Sequence, residues 1–174
     1  MGTDADLPDL DAFTAGTVGE PGARVFHLQA RAGDVSVTLK LEKQQVAALA
    51  DHLDSALADI ELPPPDDLPT DLGFEIAQAL WTVGELAIGH DPDIERFVIV
   101  ASELIEGETE DEEIAIAAEA GTARFGLTHV QAAAFVAHAR AVVAGGRPAC
   151  RWCGRPVNPE GHRCPRTNGH GVDH

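Results

Sequence analysis

The sequence predicts an α+β protein: two similar β-β-β-α halves sharing one core, with a small zinc-ribbon-like module at the C-terminus. Three observations predict it. Apolar residues alternate with period two over short runs, then switch to helical spacing, and the succession occurs twice. The charge also steps sharply: residues 1–139 carry six Lys/Arg against 27 Asp/Glu, a net of -21, whereas residues 140–174 carry six Arg against Glu160 and Asp173, a net of +4. All three cysteines lie beyond that step.

The first ten residues, MGTDADLPDL, are acidic and are expected to be disordered. They lack a signal peptide's basic and apolar regions. Phe13–Val18 reads as a short strand closed by Gly19-Glu20-Pro21-Gly22. Phe26, Leu28 and Ala30 alternate with polar neighbours, as do Val35, Val37, Leu39 and Leu41, and Ala32-Gly33-Asp34 between them suits a hairpin. Val46, Leu49, Ala50, Leu53, Leu57 and Ile60 make one apolar stripe, which predicts a helix over 42–61 and completes a first half at 11–62. Pro63-Pro64-Pro65-Asp66-Asp67-Leu68-Pro69 stops it and reads as an extended spacer.

The second half is expected over 72–145: a strand over 80–88, a turn at Gly89–Asp93, and a buried strand over Phe97–Ala101. A mobile acidic loop follows over 103–119, with eight acids and no base, then a strand over Ala123–Leu127 and a helix over 128–144. Thr128 and Gln131 have capping-box spacing at that helix start. Thr17-Val18-Gly19-Glu20 recurs as Thr82-Val83-Gly84-Glu85. Leu41, Gln45, Ala47 and Leu49 match Leu127, Gln131, Ala133 and Phe135 at a constant offset of 86. Both matches suggest an internal repeat.

Chemistry concentrates in the tail, residues 146–174. Cys150, Cys153, His162 and Cys164 form C-x2-C-x8-H-x-C. Three thiolates and an imidazole suit tetrahedral Zn2+, and four protein ligands make the site structural. Two intervening residues let one tight turn aim both first sulfurs at a point, Gly154 frees the backbone, and Asn158-Pro159-Glu160-Gly161 can fold the second pair back. The one-residue gap between His162 and Cys164 is tight, which keeps His170 open as a replacement ligand. A redox reading of Cys150 and Cys153 fits less well, because the pair follows Gly145-Gly146 and a proline rather than opening a helix after a strand.

Arg147, Arg151, Arg155, Arg163 and Arg166 surround the ligands. They make the tail a candidate contact surface for an acidic protein partner or a phosphate-bearing ligand. A nucleic-acid module is an alternative, with Trp152 stacking on a base, but the net charge of -17 disfavours it. A second alternative is an enzyme with its site in a groove between the halves, with His27, Glu20 and Glu85 as first suspects. No catalytic residue is assigned. Gly16–Gly22 lacks the Gly-Lys-Ser/Thr ending of a phosphate loop. His52 and His138 read as polar-face residues of the two helices, His129 as part of a first helical turn, and Trp81 as core. No apolar run reaches membrane-spanning length, so no membrane partner is expected.

The segments FTAGTVGEPGARVFHLQA (13–30), LEKQQVAALADHLD (41–54) and GRPACRWCGRPVNPEGHRCPRTNGH (146–170) resemble an actinobacterial family, domain of unknown function 3090, and the likeness spans nearly the whole chain. The resemblance implies a cytoplasmic, actinobacterial protein whose Cys150, Cys153, His162 and Cys164 match the family pattern. It supplies no catalytic residue.

Overall fold

The structure is a computed structural model describing residues 3–62, 65–107, 110–117, 119–158 and 160–166. Among the described residues it is α+β, with two sheets and three helices. The chain runs β1 (Ala5–Leu7), β2 (Ala12–Val18), β3 (Val25–Ala32), β4 (Val35–Leu41), α1 (Lys43–Asp59), β5 (Val83–Asp91), β6 (Arg96–Glu103), α2 (Glu110–Ala117), β7 (Thr122–Leu127) and α3 (His129–Ala144). Strands β2-β3-β4 form one antiparallel sheet. The other has the order β1-β7-β6-β5, with β1 parallel to β7 and the rest antiparallel.

The alternating strands bury one face each, as their sequence requires. Phe13 and Ala15 of β2, Leu28 and Ala30 of β3, and Val37 and Leu39 of β4 stand in register on the face toward the helices. α1 buries Val46, Leu49, Ala50, Leu53 and Leu57. α3 packs against α1 and β2 and buries Ala132–Val136 and Ala139. Phe97, Ile99, Ala123, Phe125 and Leu127 bring the second sheet to the same interior, so both sheets and both long helices share one core. At its centre Phe135 meets Phe13 with ring centroids 4.8 Å apart, and Phe13 meets Phe125 at 5.7 Å.

The two strand-to-helix junctions are built alike. Gln45 Oε1 accepts from Glu42 N at 2.8 Å, and Gln131 Oε1 accepts from Thr128 N at 2.9 Å. The matched residues at offset 86 therefore occupy the same places at the end of a strand and in the first two turns of a helix. The TVGE copies do not: the first closes β2 and the second opens β5.

Several expectations need correction. The N-terminal ten residues, expected to be disordered, carry β1, and Leu7 and Leu10 are buried. The open edge of β7 supplies the backbone partners, and Arg124 and Arg96 pair with Asp6 and Asp9. The acidic segment 103–119 is not all loop. β6 runs to Glu103, and α2 carries Glu110, Asp111, Glu112 and Glu113 in its first turn, where the helix dipole favours negative charge. β5 extends to Asp91, which moves the turn to residues 92–95. His138 does not lie on a polar outer face: its Nε2 donates to Ala15 O at 2.8 Å and ties α3 to β2. Trp81 is buried as expected, and its Nε1 donates to Thr3 O at 3.0 Å. Pro63 and Pro64 of the spacer lie outside the described residues.

The connector beyond the spacer covers the other face of the β2-β3-β4 sheet. There Thr14, Gln29 and Thr38 stand in register and are buried although polar. The Gln29 amide bonds both backbone groups of Glu75, Nε2 to O at 2.8 Å and Glu75 N to Oε1 at 3.0 Å, and also donates to Thr38 Oγ1 at 2.9 Å. Gly16 is required beneath: a Cβ there would come within 2.3 Å of the Phe74 ring. Leu80 N then donates to Thr38 O and Lys40 N to Trp81 O, which joins the two sheets. Gln29→Leu is expected to lower stability by about 1–3 kcal/mol, because it leaves the Glu75 groups unpaired. Urea unfolding measures this, and an unchanged midpoint would contradict the clamp.

Candidate metal centre

The tail after α3 folds as a small hairpin, joined by a bridge between Ala149 and Pro156 and by Val157 N to Pro148 O at 2.9 Å. Within it the backbone closes tightly on Cys150, whose N donates to Arg155 O and whose O accepts from Gly154 N, both at 2.8 Å. Gly154 adopts φ +71°, a conformation costly for any residue with a Cβ. This turn presents Cys150 and Cys153 on one side, and Trp152 N donates to Cys150 Sγ at 3.4 Å. A second turn, closed by Gly161 N to Asn158 O at 2.8 Å, returns His162 and Cys164 over the first pair.

The four expected ligands converge. One ligand atom from each of Cys150, Cys153, His162 and Cys164 lies within 4.8 Å of every other. Cys150 Sγ and Cys164 Sγ are 3.9 Å apart, and Cys153 Sγ and His162 Nε2 are 3.3 Å apart. A tetrahedron with metal–sulfur bonds of about 2.3 Å and a metal–nitrogen bond of about 2.0 Å has edges of about 3.5–3.8 Å. A disulfide would need about 2.0 Å between sulfurs, and none joins these three cysteines. The donor set and spacing therefore fit a metal ion. Cys150 and Cys164 are buried with Val157 in a small cluster of their own, with Cys153 packed against it. His162 points Nε2 at the sulfurs, and its Nδ1 is buried with no hydrogen-bond partner among the described residues. His170 lies outside the described residues.

Electrostatics favours a cation here. Burial works against ionising the Cys150 thiol, but the backbone amides of Trp152 and Cys153 and the neighbouring sulfurs outweigh it and pull the thiol down. Cys153 moves the other way: the Arg155 backbone amide favours its thiolate, yet burial and the adjacent sulfurs push it up. A cation held among the sulfurs would favour their thiolate forms. Arg151, Arg155, Arg163 and Arg166 are all exposed around the cluster, and the Arg151 guanidinium lies over the half-exposed Trp152 ring at 5.0 Å.

The groove suspects do not assemble. His27 sits in β3 on the connector-covered face, Glu20 is in the turn after β2, and Glu85 is exposed on the other sheet. A cavity of about 580 Å³ does open between α1 and α3, but Leu57, Leu62, Leu68, Val130 and Val136 line it, not these three residues. Sequence reasoning missed the His90–His129 pair, whose Nε2 atoms lie 3.2 Å apart. No spacing rule links residues on β5 and α3.

Burial holds His27 below the ordinary imidazole value of 6.5, and Lys40 adds to this against the opposing Val25 backbone group. The unfolded chain thus binds this proton more readily than the folded one. The stabilising contribution is complete above 6.5 and is lost as pH falls through the lower folded value. Wild type is expected to lose more thermal stability between pH 7.5 and pH 5.5 than His27→Asn does. Equal losses would contradict a lowered folded value for the half-buried His27 imidazole.

The fold and the cluster define an α+β protein carrying a Cys3His group fit for a metal ion near its C-terminus. The chain belongs to the family described as Protein of unknown function (DUF3090), whose model matches residues 6–164. No curated protein and no solved structure matches it. Among the described residues no helix is long and apolar enough to cross a membrane.

Proposed function

We propose that Cys150, Cys153, His162 and Cys164 hold a structural Zn2+, and that the chain is a cytoplasmic binding or adaptor protein. In this reading residues 146–174 are a metal-pinned module on an α+β domain that begins with β1 and ends near residue 145. The module presents Arg151, Arg155, Arg163 and Arg166 to an acidic or phosphate-bearing partner. The observation that carries the reading is the convergence of four donor atoms within 4.8 Å, ringed by exposed arginines on an otherwise acidic chain. Four protein ligands close the coordination sphere, which favours a structural role over a catalytic one. The tail has too few apolar residues to hold itself, and metal binding supplies folding energy of about 10 kcal/mol or more in such modules. The matched strand-to-helix junctions support reading the two β-β-β-α units as copies of one ancestor.

Retention on a heparin column tests the contact surface. The full chain is expected to bind at low salt and to elute as salt rises, because exposed charge pairs are screened. The quadruple variant Arg151→Gln/Arg155→Gln/Arg163→Gln/Arg166→Gln is expected to flow through. Equal retention of the two proteins, or none at low salt, would contradict the reading.

A further inference from the structure

A second cationic site lies where the main domain meets the tail. Arg31, Arg96, Arg124 and Arg140 each pair with a carboxylate. Arg24, Lys43 and Arg147 do not: among the described residues none of them has an acidic partner within ion-pair distance. These three line one cavity of about 590 Å³, with Phe26, Val143 and Pro156 among its apolar walls and Glu42 as its acidic residue.

The cations crowd around bare glycines. A Cβ on Gly146 would lie 3.3 Å from Arg24 Nη2 and 3.9 Å from Lys43 Nζ, and one on Gly22 would lie 3.3 Å from the Arg147 guanidinium. Arg24 is held in place from two sides, by Nη1 donating to Val142 O at 3.2 Å and by its guanidinium 5.1 Å from the Phe26 ring centre. Arg147 is held through Nη1 to Asn158 Oδ1. Three cations and one carboxylate leave the cavity net positive, the like charges repel one another, and a polyvalent anion relieves that. Guanidinium N–H groups match phosphate oxygens in pairs, and an ammonium adds a point charge. The volume exceeds what inorganic phosphate needs and falls in the range of small-molecule sites.

We propose that this cavity binds a small phosphorylated molecule, with Arg24, Lys43 and Arg147 on its phosphate groups and the Val143 and Pro156 side against its remainder. The inference rests on the preceding reading only in that a folded tail supplies Arg147 and Pro156.

The test is calorimetric titration of the full chain with inorganic pyrophosphate at low salt, with zinc content measured on the same samples. Saturable binding of one pyrophosphate per chain is expected. Lys43→Gln and Arg147→Gln should each weaken it about tenfold or more, and Arg124→Gln, on β7 outside the cavity, should leave it unchanged. Gly146→Leu should abolish binding with no change in charge; Lys43→Gln alters only an exposed residue of the first turn of α1 and so keeps the fold. Citrate should bind more weakly than pyrophosphate. Absence of saturation, equal weakening by Arg124→Gln, or citrate binding as tightly as pyrophosphate would overturn the proposal. Zinc present without pyrophosphate binding would sink this site and leave the metal reading standing. Binding lost in Lys43→Gln from a zinc-free protein would do the reverse.

Discussion

Cys153→Ser is expected to strip the metal from the protein and unfold the tail, while the α+β domain keeps its thermal transition. Serine removes one of the four proposed ligands, and the remaining three cannot close the sphere. Cys150, Val157 and Cys164 alone bury too little surface to order the segment. Amide resonances from residues 147–166 should collapse toward random-coil positions, and those of β2, β3 and α3 should stay. Collapse of the whole protein would show that the boundary near residue 145 is misplaced.

Phe135→Ala should do the opposite. Phe135 is fully buried and joins α3 to β2 through Phe13. Truncating such a ring costs about 3–5 kcal/mol, a large part of the roughly 5–15 kcal/mol that holds a domain folded. The main transition should fall by about 10 °C or more, with zinc content unchanged because every proposed ligand lies within residues 150–164. The exposed Ile76→Ala should shift the transition by no more than about 0.5 kcal/mol. If Phe135→Ala loses zinc in step with its core, the tail does not fold on its own terms.

The sequence was legible wherever a residue's environment is set by near neighbours. Val35–Leu41 alternates because one face of β4 meets the core, and the stripe from Val46 to Leu57 is spaced by the helix itself. The Cys3His cluster was legible for the same reason: fifteen residues contain all four of its members, and the turns that aim them are marked by Gly154 and Gly161. What stayed hidden depends on partners far along the chain. Gln29 looks like a solvent residue of an alternating strand, and only the backbone of Glu75 makes its burial tolerable. β1 is three residues long and exists because β7, more than a hundred residues later, offers an edge. α2 was masked by its own charge, which reads as a self-repelling loop until its acids are placed at a helix start. Arg24, Lys43 and Arg147 belong to a strand flank, a helix start and the tail, so no spacing could have joined them.

X-ray absorption at the zinc edge, with elemental analysis of freshly reduced full-length protein, tests the central claim most directly. The account predicts about one zinc per chain, with a first shell of three sulfurs near 2.3 Å and one nitrogen near 2.0 Å. Protein free of metal, or zinc surrounded only by oxygen and nitrogen, would contradict it.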